Sequence, residues 1–183
     1  MVMTGAQANA VASAPSPDAM VIEHAWQALG TVADPEIPIV SIVELGIVRS
    51  VRLAGGSLVV EITPTYSGCP ATEAIASAVD DALNARGISS KRIETRLAPA
   101  WTTDWIAPEA KRRLREFGIA PPHVAGARVD VAGISPLRRM AQVACPRCGS
   151  TRTHRVSQFG STACKAHYRC DDCLEPFDYF KTF

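Results

Sequence analysis

Residues 145–149 read CPRCG and residues 170–173 read CDDC. Each CxxC turn can direct two thiolates at one metal ion while its backbone N–H groups stabilise the sulfur charge, and two such turns complete a tetrahedral site. The predicted ligands are Cys145, Cys148, Cys170 and Cys173. Four thiolates suit zinc, but a rubredoxin-type iron site has the same ligands, so the identity of the metal stays open.

The residues around these cysteines predict a small β-rich module. Strand-like patterns occur at 152–157, 167–170 and 177–180. A core of this size cannot fold alone, so metal binding would supply much of its folding free energy. We therefore predict a zinc-ribbon-like module over residues 143–183, with a structural metal, because a closed four-cysteine site leaves no coordination position for chemistry.

The preceding residues predict a second, larger unit. Its predicted elements are a helix at 20–29, strands at 47–53 and 58–63, a helix at 71–86 and a strand at 92–97. The fold class is therefore α+β: a small α-β-β-α-β sandwich over residues 19–105, followed by the zinc-ribbon-like module. A helix and a linker rich in proline and glycine occupy residues 106–142. Residues 1–18 are rich in Ala, Ser, Pro and Gly and predict a disordered tail.

Composition and charge limit the classes of partner and the cellular compartment that we expect. The 183 residues carry a formal net charge of +1, which argues against nucleic acid or an anionic membrane as partner. No apolar run approaches the roughly 20 residues that span a bilayer, and no charged segment precedes an apolar run as in a secretion signal. We therefore expect a cytoplasmic protein whose six cysteines serve metal or redox chemistry before disulfides.

Cys69 is a candidate functional thiol, because it precedes a predicted helix whose N-terminus would stabilise a thiolate and lower its pKa. No histidine lies near it in sequence to act as a base, which favours metal handling over nucleophilic catalysis. A buried cysteine at a helix cap is the alternative. Asp34 and Glu36 could lie beside Cys69, cap the turn near Ser41, or be solvated loop acids, which is the favoured interpretation.

Cys164 has no role in this scheme and could be a core residue, a substitute ligand or a reactive thiol. His154 and His167 are interpreted as surface or packing residues, because four cysteines already complete the metal site. The sequence shows no phosphate-binding loop and no nucleophile–base–acid set, so we expect a chain that is not itself a catalyst.

Three motifs in the larger unit carry a resemblance. Residues 34–38 read DPEIP, residues 44–48 read ELGIV and residues 63–70 read TPTYSGCP. This combination resembles the iron–sulfur assembly domain of SufT-like and cytosolic cluster-targeting proteins. The resemblance implies that Cys69 is the cluster-handling thiol, with Asp34, Glu36 and Thr65 as its motif neighbours.

The second half of the chain extends the resemblance. Residues 145–150 read CPRCGS, residues 159–166 read FGSTACKA and residues 175–181 read EPFDYFK. With the first half, they look like the PaaD (also called PaaJ) family of subunits of the bacterial phenylacetyl-CoA epoxidase system. The resemblance implies an accessory subunit in aerobic phenylacetate catabolism, whose partners are the reductase and oxygenase components.

Two functions stay open within that resemblance. In one, the chain assists maturation of the reductase's iron–sulfur cluster and holds a cluster transiently at Cys69. One cysteine offers too few sulfurs for a cluster, so a homodimer or a partner's ligands would complete it. In the other, the chain is a structural adaptor between reductase and oxygenase, with Phe177, Tyr179 and Phe180 as the docking surface.

Overall fold

A computed structural model describes residues 16–122 and 142–183. The first part contains α1 (Pro17–Leu29), β1 (Val48–Ala54), β2 (Ser57–Ile62), α2 (Thr72–Asn84), β3 (Lys91–Thr95) and α3 (Pro108–Phe117). The second sheet contains β4 (Ile119–Ala120), β5 (Thr153–Ser157), β6 (Lys165–Cys170) and β7 (Pro176–Phe180). The predicted disordered tail lies, up to residue 15, outside the described residues, as does most of the predicted linker.

The first sheet has the strand order β1-β2-β3. β1 and β2 form an antiparallel hairpin, and β3 pairs parallel to β2, from Leu58 opposite Lys91 to Ile62 opposite Thr95. A parallel neighbour needs a crossover connection, which α2 provides. α1 contacts both β1 and α2, and α2 also contacts β3, so the predicted α-β-β-α-β sandwich is confirmed.

The helices follow the local signals in the sequence. Ser16 caps α1 by accepting a hydrogen bond from the N–H of Ala19, and Pro17 occupies the first turn, where a missing N–H has no consequence. α2 buries Ile75, Val79 and Leu83 along one stripe. In the described ranges 16–122 and 142–183, no helix has the length and apolar character needed to cross a membrane.

The second sheet has the strand order β4-β7-β6-β5. β5, β6 and β7 are antiparallel neighbours, in agreement with the strands expected around the knuckles. β4 pairs parallel to β7 and begins two residues after the end of α3, inside the stretch predicted as linker. A two-residue strand has no alternation to detect, and its conformation comes from the pairing of Ile119 and Ala120 with β7.

The C-terminal module has a small core of its own, which includes Tyr168, Phe177 and Tyr179, and it also contributes to the larger core of the first domain. Phe180 of β7 and Cys164 before β6 belong to the same buried cluster as the apolar residues of α1, α2 and β2. The rings of Trp101 and Phe180 lie 5.9 Å apart, and the indole Nε1 of Trp101 donates a 3.0 Å hydrogen bond to the backbone oxygen of Leu45. Residues before and after the linker are therefore packed together and do not form two separate bodies.

Candidate metal centre and thiol pocket

The four knuckle cysteines converge on one point. Their sulfur atoms all lie within 4.8 Å of one another. Across the two turns, Cys145 and Cys173 are separated by 3.7 Å, and Cys148 and Cys170 by 3.6 Å. Four sulfurs bound at about 2.3 Å from a tetrahedral ion lie about 3.8 Å apart, so the spacing fits a four-thiolate metal site. The chain has a four-cysteine metal-binding site at these residues.

The backbone holds the knuckle turns in position. The N–H of Gly149 donates to the oxygen of Cys145 at 2.9 Å, and the N–H of Cys145 donates to the oxygen of Ser150 at 2.8 Å. Gly149 has a φ of +77°, a conformation that glycine adopts without strain. At the second turn, the N–H of Cys173, followed by that of Asp172, lowers the pKa of Cys170 to about 7. Backbone N–H groups of the turn therefore stabilise the thiolate of Cys170, whereas at Cys173 the N–H of Glu175 is outweighed by burial and the neighbouring thiols, which raise the pKa of Cys173.

The histidines of this module contact carboxylates. His154 Nδ1 lies 2.8 Å from Asp171 Oδ1, and His167 Nδ1 lies 3.5 Å from Asp178 Oδ1. Neither histidine joins the four sulfurs in the metal-ligand group found among the described residues. His154 is exposed and His167 is half-buried, and each contacts a carboxylate instead of the sulfur cluster.

A second group of candidate residues lines one small cavity of about 10 Å³. Its lining includes Asp34, Glu36, Thr65, Cys69 and Cys164. The two acids come from the loop after α1, Thr65 and Cys69 from the loop between β2 and α2, and Cys164 from the segment before β6. The volume is about that of one water molecule. The packing of three separate segments thus places the motif residues around one space, and their functional roles remain a prediction.

Asp34 is a buried acceptor, so the interpretation of Asp34 as a solvated loop acid is wrong. It is 7% exposed, and its Oδ1 accepts hydrogen bonds from the N–H groups of Glu36 at 2.9 Å and Ile37 at 2.8 Å. Burial raises the pKa of its carboxyl group. The side chain therefore holds the backbone between Pro35 and Pro38 in place. Aspartate and asparagine readily form a turn of this kind with the backbone N–H groups that follow them.

Glu44, rather than Asp34 or Glu36, caps the turn that begins at Ser41. Its Oε2 accepts hydrogen bonds from the N–H and the hydroxyl of Ser41, both at 2.9 Å. Its other oxygen pairs with Arg113 of α3, which ties the turn to that helix. Glu36 takes no part in this cap. It is half-buried and lines the cavity, where its Oε2 lies 3.6 Å from the sulfur of Cys164.

Cys69 is half-buried, and burial raises the pKa of its thiol. The N–H of Ala71 opposes this shift, and the negative charge of Glu36 adds to it. The predicted lowering of the pKa by the helix N-terminus is therefore wrong. α2 begins only at Thr72, three residues after Cys69, and the favourable effect of a helix end fades beyond its first turn.

Cys164, left without a role by the sequence, lies at the same cavity. It is 4% exposed, and its sulfur lies 3.0 Å from the hydroxyl of Thr162 and 3.6 Å from Oε2 of Glu36. Burial raises the pKa of this thiol to about 11. Its proximity to Glu36 depends on packing between segments 128 residues apart, which no local pattern reveals.

The fold and the two sites define a class of protein in which an iron–sulfur-assembly-type α+β domain is followed by a zinc ribbon. Residues 22–92 match the family described as iron-sulfur cluster assembly protein, and residues 132–181 match the PaaD zinc beta ribbon domain. The chain is 49% identical, over 87% of its length and 92% of the relative, to an Escherichia coli (strain K12) protein provisionally named as a subunit of 1,2-phenylacetyl-CoA epoxidase. It therefore belongs to the PaaD family of phenylacetyl-CoA epoxidase subunits, which confirms the resemblance seen in the motifs.

Two further comparisons cover the first domain. The chain is 34% identical, over 47% of its length and 83% of the relative, to a Porphyromonas gingivalis protein named Fe-S protein maturation auxiliary factor. A crystal structure of a DUF59 domain from Bacillus anthracis is similar with a TM-score of 0.48 and 28% identity, over 52% of this chain and 92% of that one.

Proposed function

We propose that this chain is a non-catalytic accessory subunit that holds iron–sulfur cargo at Cys69 while the cluster of the epoxidase system's reductase matures. The observation that supports this is the position of Cys69: a half-buried thiol at a cavity also lined by Asp34, Glu36 and Thr65. A soft sulfur that solvent can reach, with few competing ligands, suits iron–sulfur cargo.

The environment of Cys69 favours storage of a neutral thiol. Because burial and then Glu36 raise its pKa, the unloaded thiol stays protonated at neutral pH. Oxidation follows thiolate character, so a protonated thiol resists it better. Cargo iron then takes the place of the proton. Exposed Ser67, Gly68 and Pro70 on the same loop leave the approach to the sulfur open.

The lining of the cavity also favours a carrier over an enzyme. A cysteine nucleophile needs a neighbouring base, most often histidine. Among the described residues that line the cavity there is no histidine. The carboxylates present raise the pKa of Cys69, which is the opposite of nucleophile activation.

Zinc is the metal we propose for the knuckle site. Zinc bound there would contribute folding free energy and would leave no open coordination position. Cys145, Cys148, Cys170 and Cys173 would hold it, and the sulfurs already lie at tetrahedral spacing. The ribbon therefore serves as a scaffold for the cavity wall that Cys164 and Phe180 supply.

The test is the metal and acid-labile sulfide content of chain purified without oxygen. We expect about one zinc per chain in wild type and in Cys69→Ser, with iron and sulfide only in wild type. Ser67→Ala, a change on the exposed part of the same loop, should behave as wild type. Equal iron and sulfide in Cys69→Ser, or unchanged cluster content in the reductase of cells that carry it, would overturn the proposal.

An adaptor that joins reductase and oxygenase is the second candidate. The docking surface predicted for it is wrong, because Phe177, Tyr179 and Phe180 are 5%, 9% and 1% exposed and pack inside the fold. Phe159 and Leu174 of the same module are instead 61% and 60% exposed, so they are apolar side chains that a partner could contact.

The adaptor is tested on that surface. We expect Phe159→Ser and Leu174→Ser to weaken association of reductase with oxygenase if the chain is an adaptor, with the cluster content of the reductase unchanged. Removal of residues 143–183 is a poor test, because it would also strip Phe180 and Cys164 from the shared core. Full association and epoxidation in both surface variants would reject the adaptor.

A further inference from the structure

Cys164 is the second thiol of the cavity that contains Cys69. It comes from the C-terminal module and reaches the cavity only because the two sequence units share a core. The remaining four cysteines of the chain form the knuckle site. The cavity therefore collects both thiols that the metal site does not use.

The surroundings of Cys164 are polar on one side. A cysteine that only fills space in a core contacts apolar atoms. The sulfur of Cys164 instead contacts the hydroxyl of Thr162 and a carboxylate oxygen of Glu36. Glu36 is half-buried and lines the same cavity as Cys69. The thiol is thus connected to the candidate site through a side chain that reaches towards solvent.

The cavity is narrow, although the half-buried Cys69 lies at its solvent side. About 10 Å³ has room for one water molecule, so an iron–sulfur cluster cannot lie between the two sulfurs in this conformation. Among the described residues, only the knuckle cysteines place three or more ligand atoms within 4.8 Å, so the cavity is not a preformed site for a single ion. Ser67 and Gly68, at the tip of the loop that carries Cys69, are exposed, so this loop is the side of the cavity that would have to move outward for cargo to reach both sulfurs.

We infer that Cys164 is a second sulfur ligand for the cargo held by Cys69, so that each chain offers a pair of thiolates drawn from its two modules. This rests on the proposed function of Cys69. Two thiolates per chain leave the remaining positions of a cluster to a second copy or to the client protein. The C-terminal module then takes part in the cargo site directly, in addition to its structural role.

Each of the two thiols releases one proton when it binds iron and displaces one ligand, such as water, from that iron. The proton of Cys69, which lies at the solvent side, leaves directly to water. The Cys164 thiol donates its hydrogen bond to Glu36. As the sulfur–iron bond forms, the S–H bond breaks and the proton passes to the Glu36 carboxylate, from which it leaves to solvent. No electron is transferred in this exchange.

The experiment is anaerobic loading of the zinc-containing full chain with ferrous iron and sulfide, comparing wild type, Cys69→Ser, Cys164→Ser and Cys164→Ala. Alanine keeps a small apolar side chain at a buried position, whereas serine can bind iron through oxygen. We expect Cys69→Ser to lose loading. We expect both Cys164 variants to load but to release iron to a chelator about tenfold or more faster than wild type. Both Cys164 variants should also shift the absorption bands, because each removes one sulfur-to-iron charge-transfer contribution, and in Cys164→Ser oxygen can take the place of the sulfur.

A measurement on wild type keeps the inference testable if the Cys164 variants misfold, which their zinc content would reveal. In chain labelled with ¹³Cβ-cysteine, iron bound to a sulfur produces a hyperfine shift in that residue's signal. We expect two of the six cysteine signals, Cys69 and Cys164, to move on loading. Movement of Cys69 alone, with unchanged release from Cys164→Ala, would overturn the inference and leave the proposed function intact. Failure of wild type to load, or normal loading of Cys69→Ser, would overturn both.

Discussion

At the scale of single residues, charge around the cavity sets the state of its thiols. Burial raises the pKa of Cys69, and the carboxylates of Glu36 and Asp34 raise it further, because each disfavours a second negative charge nearby. The backbone N–H of Ala71 opposes them without reversing the shift. The reactivity of Cys69 is therefore controlled by residues in a loop that precedes it by more than thirty positions.

Removal of the negative charge of Glu36 should lower the raised pKa of Cys69. In Glu36→Gln, loss of the negative charge lowers the pKa of Cys69, so that more thiolate is present at a given pH below that pKa. We expect alkylation of Cys69 by iodoacetamide to become faster by up to about tenfold, the change for one pKa unit. Rates against pH, read from the Cys69 peptide by mass spectrometry, check this. Glu23→Gln on exposed α1 is the control, and an unchanged or slower rate in Glu36→Gln would contradict the expectation.

Asp34 offers a test of stability. Asp34→Ala leaves the N–H groups of Glu36 and Ile37 without their acceptor and should lower the free energy of unfolding by about 1–3 kcal/mol. Asp34→Asn keeps an acceptor oxygen and should lose less.

The pH dependence at Asp34 has a definite sign. Its pKa is raised in the folded state, so the native chain binds more protons than the unfolded chain, and stability from this group falls as pH rises through the folded pKa. The free energy of unfolding of Asp34→Asn should therefore rise relative to that of wild type as pH increases. Denaturant unfolding of the three proteins at mildly acidic and neutral pH measures it. If Asp34→Asn instead lost stability relative to wild type as pH increased, the buried carboxyl group would not be the cause of the pH dependence.

At the scale of secondary-structure elements, the turn before β1 packs closely against Trp105. Gly46 has a φ of +70°, and a Cβ added there would lie 2.6 Å from Cβ of Trp105 and 2.8 Å from its backbone oxygen. Arg49 stacks on the ring of Trp105 from the start of β1, with its guanidinium carbon 3.3 Å from the ring centre. Close approach, in addition to positive φ, makes glycine necessary here.

A pair of glycine substitutions separates the two effects. Gly55→Ala in the hairpin turn meets no atom within 4 Å, so only its φ of +60° opposes the change, at about 1–2 kcal/mol. Gly46→Ala carries the same penalty and a steric clash worth about 1–3 kcal/mol more. Thermal unfolding should therefore show a clearly larger drop in midpoint for Gly46→Ala. Equal drops would mean that Trp105 moves away without penalty.

The elements that sequence predicted well are those with local signals. The β1–β2 hairpin followed from two apolar strands around a glycine turn, and α2 from the buried stripe of Ile75, Val79 and Leu83. β4 escaped prediction because two residues carry no period, and its pairing belongs to β7. The prediction that Phe180 lies on a docking surface is wrong, because its ring packs against Trp101, which is distant in sequence.

The metal site and the thiol pocket differ in the same way. The knuckle cysteines could be predicted from their spacing, because the two cysteines of each CxxC turn are local in sequence. The fold then has to bring only two turns together. Asp34, Glu36 and Thr65 were named from motifs, but that they line one cavity with Cys69 comes from the packed loops. The pKa of Cys69 and the position of Cys164 depend on burial between distant segments, which the order of residues does not specify.

At the scale of the whole molecule, the shared core links the metal site to the thiol pocket. Removal of the knuckle metal should loosen the ribbon, and with it Phe180 and Cys164, which belong to the core of the first domain. We expect a strong zinc chelator to speed alkylation of the buried Cys164 and to lower the midpoint of one common unfolding transition. Calorimetry and peptide mapping measure both effects.

Zinc added back is the control for that treatment, and it should restore the slow alkylation. Two separate transitions, of which only one responds to the chelator, would mean that the modules are energetically independent. Unchanged alkylation of Cys164 after complete loss of zinc would lead to the same conclusion.

The late position of Cys164 and Phe180 in the chain has a consequence for biosynthesis. A ribosome makes α1, the first sheet and Cys69 well before it makes the two residues that close the cavity. Until then Trp101 lacks the ring of Phe180 that packs against it, and the pocket lacks the part of its lining that Cys164 and Phe180 supply. Translation itself therefore delays completion of the pocket, and an interrupted polypeptide would present an open, unfinished Cys69 to the cell's proteases and chaperones.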